Sequence, residues 1–423
     1  MMDVLNVTEK KFDDTTIYAL DYFPFNPIQG TQYNTPGIIQ IDIQNQDEYF
    51  LPHKSWLQFD LSLKKSDGTR WVDANNVTLV NNAIMHLFQN IKYLLGGNEI
   101  ETLNHPGEAT TMMGLLKYDK SYCGLSECWA LDNNNAIADN EGFKQRKAYI
   151  LALAAPNKGD VSFAVDLEHF SGFAEDYDKV IFGQRQSLQF NRKANSNDAI
   201  YRDGNDAGKV EIAKITWWMA RVKPSVFEET RLGQLNLAKE QAIDLWFRSR
   251  QCSMITIPLG TSNYTWNLGV KTERPRFVVV GFQRARAGQL ANNALFDHSN
   301  VANMKVRINS AEFPTIDVNS DFGSNQYGGW YKRFMDFKRS FYSVDKMVSC
   351  TAVDIKAYKD LYPLYVFDAS YQVETQGNSS VLDISINMNF NNAINADTQA
   401  FALVISDRKL KIEVGGKRSV VVF

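Results

Sequence analysis

At 423 residues the chain has room for two large or three small domains on a soft prior of about 150 residues each, and since all-β sandwiches run longer than that prior, two is the better count. Hydrophobic residues at 44% and aromatics at 12% suffice for packed cores and exclude an intrinsically disordered chain. With 45 basic residues against 48 acidic ones, the net charge of −3 lacks the basic excess from which nucleic-acid binders draw affinity, so sequence-specific nucleic-acid recognition is not expected.

Taken in chain order, residues 1–35 mix polar stretches with Tyr18, Tyr22, Phe23, Phe25 and Tyr33 and with prolines at 24 and 27. That mixture disfavours a helix and suits an extended N-terminal arm that orders only against a neighbouring chain. The start Met1-Met2-Asp3-Val4 shows no charged region followed by an apolar run, so synthesis without a signal peptide, in the cytoplasm or nucleus, is expected. From Pro36 the pattern turns to strands. Ile39, Ile41 and Ile43 alternate with Gln40, Asp42 and Gln44, and Trp56 to Leu63 repeats the period of two, as half-buried antiparallel strands do. The same alternation predicts strands over 161–167, 187–191 and 210–220, and Pro224 closes a first domain spanning 36–225. Within it, the Asn- and Asp-rich stretch 119–148 is read as a loop projecting from one end of the sandwich.

Residues 226–241 set Val226, Phe227, Leu232, Leu235 and Leu237 among charged neighbours, which predicts an amphipathic linking helix. Second-domain strands are expected at 243–250, 254–259, 276–282, 304–308, 364–369, 382–390 and 400–411, giving a domain over 226–413. Residues 414–423 form a C-terminal tail whose apolar end, Val420 to Phe423, is expected to order against neighbouring subunits as the arm does.

The two halves share one grammar. Lys92 to Ile100 reads as a hairpin with Gly96-Gly97-Asn98 at its turn, and Lys305 to Phe313 reads as another, with Asn309-Ser310-Ala311 at the corresponding place. Each is followed by a glycine-containing helical stretch with a basic end, Gly107 to Lys117 and the aromatic-rich Tyr327 to Lys338. Recurrence at half the chain length indicates two copies of one domain rather than a solenoid, whose period is about 20–50 residues. Seven or eight short strands per half, interrupted by one helix, predict an all-β fold: two tandem eight-stranded jelly rolls, with short helices after the central hairpins and at the domain junction.

Catalytic patterns are missing from the sequence. His53, His86, His105, His169 and His298 form no metal-binding spacing, and the paired carboxylates Asp47-Glu48, Glu175-Asp176 and Glu228-Glu229 point to opposite faces where they lie on strands. No cofactor is expected. Cys123, Cys128, Cys252 and Cys350 contain no C-x-x-C pair; a Cys123–Cys128 disulfide is the alternative to the free thiols expected in a reducing compartment. Trp217-Trp218 on a strand puts one indole in the core and one outward, and an outward indole marks a protein interface more often than a sugar platform. With the short basic clusters and the apolar C-terminus, this makes Trp217, Trp218, Lys144, Arg146, Lys417, Arg418 and Phe423 the candidate subunit-contact residues.

Four segments carry a family signal by their order and spacing: Asn140-Glu141-Gly142-Phe143-Lys144-Gln145-Arg146, Val222-Lys223-Pro224-Ser225, Leu364-Tyr365-Val366-Phe367-Asp368, and Phe401-Ala402-Leu403-Val404-Ile405-Ser406-Asp407. Together they resemble the double jelly-roll major capsid proteins of the polinton and adintovirus lineage of DNA viruses, including relatives integrated in invertebrate genomes, over about residues 36–411. The resemblance implies a homotrimer whose six jelly rolls make a pseudo-hexagonal capsomer. It further implies an icosahedral shell around a DNA genome, contacts with neighbouring capsomers and with penton and minor capsid proteins, a place in the virion, and no reaction catalysed. The tail 414–423 does not align with that pattern. The rival reading is a two-sandwich carbohydrate-active enzyme or lectin, and a third is a host-domesticated copy that assembles without infecting.

Overall fold

The computed structural model describes residues 16–413 and 419–421, apart from positions 29, 31, 46, 123, 238–241, 273, 287, 346–351 and 372–381. The first half carries strands β1 (Ile17–Phe25), β2 (Gly37–Ile43), β3 (Tyr49–Lys65), β4 (Val77–Leu79), β5 (Phe88–Leu95), β6 (Asn98–Asn104), β7 (Asp160–Asp166), β8 (Gln186–Arg192), β9 (Ile200–Arg202) and β10 (Gly208–Pro224). Its helices are α1 (Ala83–His86), α2 (Pro106–Lys117), α3 (Glu141–Ile150), α4 (Leu167–Phe170) and α5 (Gly172–Asp176), and α6 (Val226–Leu237) forms the junction. In the second half follow β11 (Ala242–Ile257), β12 (Asn263–Thr272), β13 (Pro275–Arg284), β14 (Val301–Ile308), β15 (Ala311–Phe313), β16 (Leu364–Asp368), β17 (Leu382–Phe390), β18 (Thr398–Glu413) and β19 (Ser419–Val421), with helices α7 (Gly328–Tyr342) and α8 (Ile355–Asp360).

The sheets are β1-β10-β3-β7 and β2-β8-β5-β6 in the first half, and β11-β18-β13-β16 and β12-β17-β14-β15 in the second. Leaving aside the small β4–β9 pair and β19, the strands of each half, counted in chain order, lie as 1-8-3-6 and 2-7-4-5. Two sandwiches with one strand order, all neighbours antiparallel, are two copies of the eight-stranded jelly roll. Alternation decides which side chains enter each core. In the first, Phe59 from one sheet meets Phe88 and Phe190 from the other at 6.1 and 6.2 Å; in the second, Phe282 meets Phe390 at 5.8 Å.

Both predicted hairpins are present, Leu95 pairing with Asn98 and Ile308 with Ala311 across two-residue turns, and each is followed by its helix, α2 and α7. Three expectations are corrected. Residues 17–25 are not an arm awaiting a neighbour: as β1 they pair with β10 from Ile17↔Pro224 to Phe25↔Trp217, so they are the first strand of the first jelly roll. Pro24 did not prevent this, because an edge strand tolerates a missing N–H on its free side, and Pro27 lies beyond the end of the strand. The C-terminal end likewise finds a partner in its own chain over Ser419–Val421, which pairs with Leu410 to Ile412 of β18. Finally, 243–250 and 254–259 are one continuous strand, β11, and strands β4, β9 and β12 join the expected set. Residues 1–15 and 422–423 lie outside the described residues.

Candidate assembly interface

What holds the two halves together starts at β11. As the outer strand of its sheet it has one row of backbone groups without a ladder partner, and the first half supplies partners: the Arg248 amide donates to Asp176 Oδ2 (2.7 Å) and the Arg250 amide to Glu101 Oε1 (3.0 Å). Helix α5 comes so near that a Cβ at Gly172 would lie 1.9 Å from the Arg248 carbonyl oxygen, so only glycine fits there. Side chains then lock the contact. Arg250, 2% exposed, donates from Nη1 to the His169 carbonyl (2.9 Å) and pairs through Nη2 with Glu175, which also receives Lys117 Nζ and the Tyr342 hydroxyl, both at 2.9 Å. Arg248 donates to Asp176 and to the Phe341 carbonyl (2.7 Å) and lies 3.6 Å from the centre of the Phe341 ring. On the other side, Arg408 of β18 donates to the Ile100 carbonyl at 2.6 Å.

Burial by itself would raise the Glu175 carboxyl, but the Arg250 and Lys117 charges and the Tyr342 hydroxyl hold it at about 2. His169 is pushed down to about 3 by burial and by the same two cations, which keeps the imidazole neutral; it bonds Asn82 Oδ1 (3.0 Å) and the Tyr118 hydroxyl (2.9 Å). Glu101, fully buried, is raised by desolvation even though Ser171 Oγ (2.7 Å) and the Gly172 amide (3.1 Å) donate to it.

A second polar knot lies in the 119–148 stretch. Asp132 accepts from Arg146 Nη2 (2.7 Å), Asn140 Nδ2 (2.8 Å) and Asn292 Nδ2 (2.8 Å), while its backbone carbonyl accepts from the Tyr362 hydroxyl (2.9 Å). Asn292 and Tyr362 belong to the second half, so this stretch is a buttress between the halves and not simply a projecting loop; its exposed crest is Asn133 to Ala136. The reason is the buried carboxylate, which has to find donors wherever the chain offers them.

The expected contact residues divide. Trp217 is 0% exposed and packs edge-on to Tyr93 at 6.3 Å, and Arg146, 1% exposed, spends its donors on Asp132 and the Leu79 and Ala130 carbonyls. Both are interior to this chain and present no surface to another, which corrects the expectation for them. Trp218 lies on the outer face of the first sandwich, stacked on Trp56 (5.4 Å between ring centres) with its Nε1 donating to Gln58 Oε1 at 3.1 Å. Lys144 is exposed and pairs with Glu141 at 2.8 Å. Lys417, Arg418 and Phe423 lie outside the described residues. Sequence reasoning missed Glu101, Asp132, Glu175, Arg248 and Arg250; only the helical spacing of Phe143, Arg146 and Ile150 hinted that Arg146 faces inward.

The carboxylate pairs are engaged structurally. Glu175 and Asp176 serve the seam, Glu48 pairs with Arg221 at 2.5 Å and Glu228 with Arg231 at 2.7 Å. Among the described residues no group of three or more His, Cys, Asp or Glu side chains could hold a metal. Cys128 is a free, buried thiol pushed up to about 11 by desolvation; Cys123 lies outside the described residues.

A duplicated sandwich with a desolvated, charge-locked seam defines a double jelly roll. The chain belongs to the double jelly roll-like domain family, which it matches over residues 77–410. Among solved structures it is similar to the Faustovirus major capsid protein (TM-score 0.59, 8% identity, covering 97% of this chain and 93% of that one). It is likewise similar to the Sputnik virophage structure (0.57, 9%, 99% and 91%) and to the mavirus major capsid protein (0.55, 10%, 99% and 93%). At such identities the likeness is one of fold. No curated protein matches the sequence.

Proposed function

We propose that this chain is the major capsid protein of a DNA virus of the polinton and adintovirus lineage, assembling as homotrimers into an icosahedral shell. The observation that carries this is the pair of jelly rolls with one strand order, fixed to each other by a buried seam. Two similar domains held in one orientation, repeated about a three-fold axis, give six similar outer edges, which is what tiling a flat facet requires. The Faustovirus and mavirus proteins of like fold are major capsid proteins, which supports the same role here. On this reading the partners are two further copies, neighbouring capsomers, and penton and minor capsid proteins; the place of action is the virion. Trp218 and Lys144, both on the surface, remain contact residues in this proposal. No reaction is assigned; of the adjacent carboxylate pairs, Glu48, Glu175, Asp176 and Glu228 are held in ion pairs. A glycan-array and hydrolase screen beside electron microscopy of the expressed protein tests the reading: hexagonal capsomers or shells without sugar binding are expected, and saturable sugar binding or turnover without particles favours the carbohydrate-active rival.

A further inference from the structure

The seam inside the chain shows how one jelly roll of this protein receives another. Strand β18 is buried without a break from Ala400 to Ser406, a run that a sheet shows only when both faces are covered. One face meets its own sandwich; on the other, α2 and β6 of the first half pack against β18 and β11, with His105 edge-on to Phe401 at 5.7 Å. The corresponding strand of the first sandwich is β10, and its run from Ile215 to Ala220 is as apolar. Among the described residues its outer side is covered at one end, where Leu51, Ala220 and Val222 cluster with Leu20, Tyr49 and Val180, and at the buried Thr216, which donates to Asn26 Oδ1 at 2.9 Å. Between them the Trp56–Trp218 stack is partly buried.

Beside it runs β1, the counterpart of β11 in strand order. Of its nine residues, Ile-Tyr-Ala-Leu-Asp-Tyr-Phe-Pro-Phe, none is fully buried; Tyr18 is 82% and Tyr22 43% exposed. A nine-residue apolar edge strand is a template for pairing with another chain, and native proteins do not leave one open. In β11 the same position is closed by β6 together with α5. The counterpart of β6 is β15, whose own outer edge is also without a strand partner among the described residues.

The chemistry at the two sites matches separately. Glu101 of β6, paired across its hairpin with Tyr93, meets the Arg-bearing β11; at the equivalent place of the second hairpin Phe313 pairs with Val306, and Ile316 three residues on is 82% exposed. An acid faces arginines within the chain; at β15 Phe313 is buried in its own core and Glu312 is exposed, so the apolar group open to the tyrosines of β1 is Ile316.

We propose that the β1 edge and the Tyr18, Tyr22 and Trp218 face of one copy are covered by the β15 edge and Ile316 of a second copy, repeating between chains the head-to-tail contact that β6 and β11 make within one. The inference rests on the trimer proposed above. Because the contact is heterologous, each chain uses both surfaces, one toward each neighbour.

Native mass spectrometry of the full chain tests it with three variants: Tyr18→Lys/Tyr22→Lys, Ile316→Lys, and Val72→Lys as a control at another exposed apolar residue. The first two each weaken trimerisation on the order of 100-fold, as loss of an anchoring contact does, and the control does not. Each damaged variant keeps one sound surface, so an equimolar mixture of the two yields one-to-one heterodimers. Hydrogen exchange on the wild type needs no variant: amides of residues 17–25 gain protection as concentration drives assembly. A wild-type trimer with tolerant variants and unprotected β1 amides overturns the interface while leaving the capsid reading standing; a wild type monomeric at every concentration overturns both.

Discussion

Replacing Arg250 by leucine isolates the seam. In the native protein its guanidinium is buried, donates to the Glu175 carboxylate and to the His169 carbonyl, and offsets the desolvation of Glu175. Removing one partner of a buried pair costs about 3–5 kcal/mol, and two bonds to or from a charged group at about 1.5–3 kcal/mol each give an overlapping range of about 3–6 kcal/mol. Lys117 and Tyr342 still reach Glu175, which keeps the loss toward the lower end. With an unfolding entropy of about 2.1 cal/mol/K per residue over 423 residues, that loss lowers Tm by about 3–6 °C if the chain melts as one unit. Calorimetry and urea titration at matched protein concentration measure it, and the double change Arg250→Leu/Glu175→Leu should recover part of the loss, since no buried charge is then left alone. A shift within about 1 °C for Arg250→Leu would refute the claim that this ion pair fastens the two jelly rolls.

Two further predictions concern the same architecture. Glu175 sits at about 2 when folded against 4.5 when free, so its stabilisation is present above about pH 4.5 and is lost as pH falls toward 2; His169, at about 3 against 6.5, adds a loss that begins below about 6.5, where only the unfolded chain takes up the proton. The urea midpoint should therefore fall steadily from pH 7 to 3, and a flat profile over that span contradicts the seam electrostatics. Trp217→Ala should cost about 3–5 kcal/mol of stability as a core cavity, whereas Trp218→Ala should cost only about 1 kcal/mol from the lost Trp56 stack while impairing assembly; equal melting temperatures for the two would contradict the assigned faces.

Period-two alternation and turn chemistry made the repeated hairpins, the helices behind them and most long strands legible, since those segments have one face in a core and one outward. The sequence was misleading where a segment answers to something distant. β1 does not alternate cleanly because it sits on an edge and carries Pro24, and β11 was read as two strands because Gln251-Cys252-Ser253 interrupts its apolar pattern; its Arg248 and Arg250 answer to Asp176 and Glu101, 72 and 149 residues away. β12 was readable and was missed: Tyr264, Trp266, Leu268 and Val270 alternate with polar or small residues, and Trp266 and Leu268 are buried. Arg146 looked like part of a solvated basic cluster because nothing in a linear sequence shows that Asp132 is waiting beneath helix α3. A buried ion pair leaves no local period, so such pairs are invisible until the fold brings them together.

The most direct test of the account is the assembly state of the full-length wild-type chain, by native mass measurement at micromolar concentration followed by negative-stain imaging. The account predicts trimers, three chains of 48.1 kDa, that image as pseudo-hexagonal capsomers and close into shells. A strict monomer across concentration and salt, with no capsomers in the images, would contradict it.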